Sequence, residues 1–146
     1  MHIVFLTKQA IHAALRARLS GSGVLVAWAD PADKARRRSV WFTETVEPDV
    51  EPTGMVPGRR KPSVLTADVT IRAICVAPGD PVHAERGVWE LRDQVDAAVM
   101  EEFDPGTVPG LIDVRPVRAV VTGGESFLGT TAQCDYTVRV RARLLT

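Results

Sequence analysis

Two stretches of this chain alternate apolar and polar side chains so strictly that only strands buried on one face account for them. From Val64 to Val76, the residues Leu65, Ala67, Val69, Ile71, Ala73 and Cys75 fall on one side, with Thr66, Asp68, Thr70 and Arg72 on the other. From Thr131 to Leu145, the residues Ala132, Cys134, Tyr136, Val138, Val140, Ala142 and Leu144 alternate with Gln133, Asp135, Thr137, Arg139, Arg141 and Arg143. Strands of this kind need a covering layer on the apolar face and leave the other face polar.

Two helical patterns supply the cover. Thr7 is placed to cap a helix running to about Leu19, with Ile11, Leu15 and Leu19 at four-residue spacing and Gly21-Ser22-Gly23 as its stop. Asp80-Pro81 starts a longer one, a capping acid followed by proline at the first helical position. It is expected to run to about Phe103, with Ala84, Val88, Leu91, Val95, Ala98, Val99 and Phe103 as its buried stripe. Its outer face is mainly acidic, with Glu85, Glu90, Asp93, Asp96, Glu101 and Glu102 against Arg86 and Arg92.

The remaining strands are less regular. Val24–Ala29 and the segment SVWFTETVE from Ser39 read as a hairpin whose tip carries Lys34, Arg36, Arg37 and Arg38. Leu111–Thr122 changes phase near Pro116, which predicts a bulge or an edge position, and GGESFLG turns the chain into the last strand. The order helix, hairpin, strand, helix, hairpin defines an α+β two-layer sandwich. An antiparallel sheet carries two helices on one face, in a single domain over residues 1–146.

Composition removes whole classes of function. Lys plus Arg equals Asp plus Glu at 18 each, so no net field draws the chain to nucleic acid or anionic lipid. Cys75 and Cys134 are too few and too far apart for a disulfide scaffold or a zinc site, and their alternating apolar surroundings predict buried free thiols in a reducing cytoplasm. The opening MHIVFLTK is too short in its apolar run for a signal peptide, and no stretch approaches a membrane span.

Catalytic patterns fail on their physics. GESFLGTT, residues 124–131, imitates a phosphate-binding loop but lacks its lysine and joins two strands, whereas that loop must open a helix whose amides face the anion. His83-Ala84-Glu85 imitates the HxE of zinc deaminases, but no PCxxC completes a metal site. His2 and His12 have no partners at ligand spacing. No GxSxG elbow is present, neither cysteine sits in an electropositive exposed setting, and the helix carboxylates read as a solvated face. The chain is read as no enzyme, with no cofactor and no metal.

Charge segregation is the informative feature. Arg139, Arg141 and Arg143 recur about 6.8 Å apart on one strand face, but no aromatic alternates with them to stack a base. Residues 43–63 read as a long loop, or arm, acidic at its root through Glu44, Glu47, Asp49 and Glu51 and basic on its return through Arg59, Arg60 and Lys61. Such unlike patches suit a head-to-tail contact between copies, whose two surfaces must differ and complement each other. The candidate subunit or tube contacts are therefore Glu47, Asp49, Glu51, Arg59, Arg60, Lys61, Arg139, Arg141 and Arg143.

The helix IHAALRARL, the pair VLVAWADP and SVWFTETVEP, the passage TADVTIRAICVAPGDPVHAERGVWELRDQVDAAV and the closing VRPVRAVVTGGESFLGTTAQCDYTVRVRARL together resemble the tail terminator proteins of long-tailed bacteriophages, the minor tail protein U type. That resemblance implies a ring, typically a hexamer, at the head-proximal end of the virion tail, assembled in the host cytoplasm. Such a ring caps the tail tube protein, ends tube polymerisation and receives the head-completion proteins, with DNA passing through its lumen without sequence-specific contact. The alternatives are another head–tail connector or neck protein, a small-molecule-binding domain of ferredoxin-like type, and a nucleic-acid binder.

Overall fold

The computed structural model describes residues 2–31, 37–52, 62–126 and 129–145. The chain runs α1 (Ile3–Leu19), β1 (Leu25–Val26), β2 (Arg38–Pro52), β3 (Pro62–Val76), α2 (Pro81–Ala97), β4 (Leu111–Ser126) and β5 (Gly129–Leu145). The strands form one five-stranded mixed sheet in the order β1-β2-β3-β5-β4, with the helices above it in an α+β arrangement.

The two strictly alternating stretches are the central strands. They pair antiparallel without a break from Pro62↔Leu145 to Val76↔Thr131. Every predicted core residue from Leu65 to Cys75 and from Ala132 to Ala142 is buried, and Leu144 packs against the core half-buried. Across them lies α2, burying Ala84, Val88, Leu91 and Val95, with Ala98, Val99 and Phe103 beyond its last turn. Asp80 caps it by accepting from the His83 N–H at 3.0 Å, and Pro81 occupies the first turn. The approach to the sheet is so close that a Cβ on Gly87 would stand 2.5 Å from the Cys75 sulfur. Only glycine fits there.

The helix does not continue in α form to Phe103. Residues Ala98–Glu102 form a π turn, closed by the Phe103 N–H donating to the Ala98 carbonyl at 2.9 Å. The wider turn buries Ala98, Val99 and Phe103 together and leaves Glu101 and Glu102 within 3.4 and 3.2 Å of Arg18 on α1.

Four expectations are corrected. First, α1 begins at Ile3 rather than after Thr7: His2 is the cap, its Nδ1 accepting from the Val4 N–H at 3.1 Å. Thr7 is fully buried, and its hydroxyl donates to the Ile3 carbonyl at 2.8 Å, so a residue type that suits a cap serves inside the helix.

Second, β1 and β2 are not a hairpin. They run parallel, Leu25↔Ser39 and Val26↔Val40, and the contact continues as Ala27 N–H to the Val40 carbonyl and Phe42 N–H to the Trp28 carbonyl. Periodicity shows that a segment is extended, not which way its neighbour points. Parallel placement sets Val24, Val26 and Trp28 against the core under α1. The Trp28 ring lies 5.2 Å from that of Phe42, 5.5 Å from His12 and 5.7 Å from Phe5. Lys8 Nζ stands 5.0 and 4.9 Å from the Trp28 and Phe42 ring centres, a cation over two π faces.

Third, the sheet is therefore antiparallel over β2, β3, β5 and β4 only, with β1 added parallel at one edge. Fourth, most of the expected 43–63 loop is strand. β2 pairs with β3 as far as Pro52↔Ser63, absorbing its awkward composition in register shifts between Phe42 and Thr45 and between Val46 and Asp49. Residues 53–61 lie outside those described. A long neighbour with an open edge imposed strand geometry on a segment whose acids and prolines disfavour it.

Leu91 is 2% exposed, so Leu91→Asp buries a carboxylate with no partner. The expected loss exceeds about 4 kcal/mol, read as the absence of a cooperative transition in circular dichroism melting. A milder probe is pH. Burial, and then the Arg16 charge, push the His12 imidazole below its ordinary 6.5. The unfolded chain then takes that proton first, so stability is full above pH 6.5 and declines as pH falls below it. Denaturant titrations from pH 7.5 to 5 should show this decline in the wild type and a smaller one in His12→Leu.

Candidate functional site

The sheet face away from the helices is a lattice of charges. β3 and β5 place Arg72 opposite Asp135, Thr70 opposite Thr137 and Asp68 opposite Arg139. Each opposed pair bonds directly. Arg72 donates through Nε and a terminal nitrogen to the two Asp135 oxygens at 2.9 and 3.2 Å, and Arg139 grips Asp68 in the same way at 2.9 and 3.2 Å. The Thr70 and Thr137 hydroxyls, both buried, are 3.0 Å apart. Arg141 reaches outward to Asp113 on β4 at 3.0 and 2.7 Å. These are two-pronged guanidinium–carboxylate pairs, more specific than point-charge contacts.

The arginines expected as a bare cationic row are thus largely neutralised within the subunit. Among the predicted contact residues, Arg139 and Arg141 are held by Asp68 and Asp113, while Arg143 is exposed and makes no ion pair among the described residues. Glu47 lies 3.3 Å from His2 Nε2. Asp49 and Glu51 stand in register with Thr66 and Val64, with only their backbone described. Arg59, Arg60 and Lys61 lie outside the described residues. The structure therefore brings the β5 arginines together on one face and leaves Glu47 on the far strand.

Sequence reasoning missed Asp113 as a partner and Arg115 and Arg118 as remaining cations. Arg115 stands opposite Arg139, a like-charged pair in which Asp68 holds Arg139 and Asp113 lies 3.5 Å from Arg115. Arg118 is exposed without an ion pair among the described residues. The signal was present: Asp113, Arg115 and Arg118 become one outward face once the bulge between Pro116 and Arg118 is placed.

The opposite layer is acidic but also partly tied. Arg18 reaches Gln94, Glu101 and Glu102, and Arg38 reaches Glu90 at 3.3 Å. Tyr136 is buried under α2 and donates to Asp96 at 2.6 Å. Burial, helped by that carboxylate, pushes its phenol well above the usual tyrosine range. Cys75 and Cys134 are buried free thiols, and burial raises Cys134 above its ordinary value, away from the thiolate a nucleophile needs. Among the described residues no His, Cys, Asp or Glu group is placed to hold a metal. The surface carries open depressions. One of about 430 Å³ lies between the end of α1 and β1. Another, of about 420 Å³, is bordered by Asp30, Trp41, Glu44, Arg72 and Asp135. No described helix is long and apolar enough to cross a membrane.

A two-layer α+β fold with a paired charge lattice is what the geometry defines. No protein-family model matches the chain, and no curated protein matches it. Among solved structures, it shares its fold with a chain from the virion of a native gene transfer agent particle. The TM-score is 0.53 at 19% identity, with 94% of each chain covered.

The Arg141 hydrogen bond holds the Asp113 carboxyl below its ordinary 3.8. The stabilisation is present above about pH 4 and lost as pH falls below it, because the unfolded chain is protonated first. Asp113→Asn should cost about 1 kcal/mol or less, as partly exposed pairs do. It should also flatten the acid-side decline between pH 5 and 3 in urea titrations.

Proposed function

We propose that this chain is a structural virion subunit of the tailed-phage type, acting as a tail terminator. In this reading copies close into a ring, expected to be a hexamer, that caps the tail tube protein, halts its polymerisation and presents the other side to head-completion proteins. DNA passes through the lumen without sequence-specific contact. The observation that carries the reading is the fold shared along 94% of both chains with a virion component. The charges support it in kind. They balance overall, are segregated by layer, and leave Arg115, Arg118 and Arg143 on the sheet side without a strong partner among the described residues.

In this reading the tube or subunit contacts come from Glu47, Asp49 and Glu51 on β2 and from Arg59, Arg60 and Lys61 in the segment that joins β2 to β3. A related neck protein would share the fold but seek a different partner. Electron microscopy of the purified protein, alone and mixed with tail tubes, separates the two: rings seated on tube ends support a terminator, and rings that ignore tubes but bind head connectors support the neck reading. Reversing Arg59, Arg60 and Lys61 together to Glu should weaken ring or tube binding while moving the subunit melting point little, since surface charges usually contribute within about 0.5 kcal/mol each. A large melting shift would place these residues in the fold instead.

A further inference from the structure

The sheet has two unlike open edges. On one side β4 presents its outer edge along Leu111–Ser126 with no strand beyond it among the described residues. On the other, β1 covers β2 only as far as Phe42, leaving the outer side of Thr43–Pro52 without a strand partner among the described residues. Open edges are templates for another chain, and soluble proteins blunt them unless they are used. Both edges are partly blunted, β4 by Pro116 and its register shifts, and the open part of β2 by Pro48 and the shifts between Phe42 and Thr45 and between Val46 and Asp49.

The chemistry of the two edges differs in sign. β4 carries Arg115 and Arg118, while the open part of β2 carries Glu44 and Glu47, with Asp30 bordering the same depression as Glu44. Exposed apolar side chains gather on the β4 side. Val117 and Val120 are 43% and 44% exposed on the strand itself. Beside it, Trp89 on α2 and Met100 in the π turn that follows are exposed on the flank shared with Arg92 and Asp96, at successive spacings of three and four residues. That flank faces β4: Asp96 bonds Tyr136, whose sheet neighbour is Ala119, itself exposed. Val120, in register with Asp135, faces the charged side of the sheet, so exposed apolar side chains flank β4 on both faces.

Strand direction completes the match. β2 and β5 run one way, β3 and β4 the other. A second copy set alongside in the same orientation therefore brings its β2 antiparallel to β4, the pairing that gives perpendicular, regular hydrogen bonds. Traced through the registers, Arg118 lies level with Thr137, Thr70 and the Thr43–Glu44 bulge, and Arg115 with Arg139, Asp68 and Val46 beside Glu47, so a copy set level places unlike charges opposite each other.

We infer that copies of this chain join edge to edge, β4 of one against the acidic outer edge of β2 on the next, with Arg118 and Arg115 facing Glu44 and Glu47. The inference rests on the ring-forming reading and specifies its contact. The interface is heterologous, so each copy uses both edges.

The test uses charge exchange in the full-length protein, with assembly followed by sedimentation velocity. Arg118→Glu and Glu44→Lys should each weaken self-association by about tenfold or more at low salt, with unchanged circular dichroism and melting. Mixed in equal amounts, the two variants should assemble again, because every contact in an alternating array is then complementary. Val120→Asp, on an exposed position, should block assembly in any mixture. If both charge variants assemble like the wild type, or the mixture fails to recover, the edge contact is wrong even though the ring reading stands. If the wild type remains monomeric up to millimolar concentration, the ring reading itself falls and this contact with it.

Discussion

The close approach of α2 to the sheet at Gly87 and Cys75 is the constraint on which the rest of the molecule depends. It fixes the height of the helix above β3, and with it the filling of the core by small and branched residues: Ala73, Val69, Ile71, Val88, Leu91 and Val138. These side chains form one continuous buried cluster between sheet and helices. The open depressions lie at the rim and on the outer face, where water reaches them.

The surfaces were only partly readable from composition. Balanced charge hides a sorting by layer, and within the sheet layer a further sorting into paired and spare charges. Asp68, Asp113 and Asp135 hold Arg139, Arg141 and Arg72 in two-pronged contacts, which makes the lattice a device for setting strand register as much as a recognition surface. The cations left over, Arg115, Arg118 and Arg143, sit on the two strands nearest the β4 edge.

The central strands and the stripe of α2 were legible because one rule governed each residue: Leu65 to Cys75 and Ala132 to Ala142 alternate because one face is dry. The start of α1 was less so, since Thr7 suits a cap in isolation but finds the Ile3 carbonyl inside a helix already begun. Trp28 belongs to a strand whose direction no local pattern records. Glu44, Glu47 and Pro48 look like loop residues and are strand because β3 offers a partner over its whole length. Asp113 was hidden for a related reason. Its pairing with Arg141 depends on a register that two bulges shift, and bulges leave only a blurred change of phase in the sequence.

The ladders also differ in how they would bear tension across the sheet. Between β3 and β5 the pairing is unbroken, so a pull from the two edges is shared along its whole length. The outer ladders are interrupted, after Phe42 on one side and beside Val117 on the other, and stress concentrates at such gaps. Under load the outer strands would part first and the inner pair, with α2 clamped over it, would be the last element to yield. A component in line with others under strain would then give way at its margins and keep its centre.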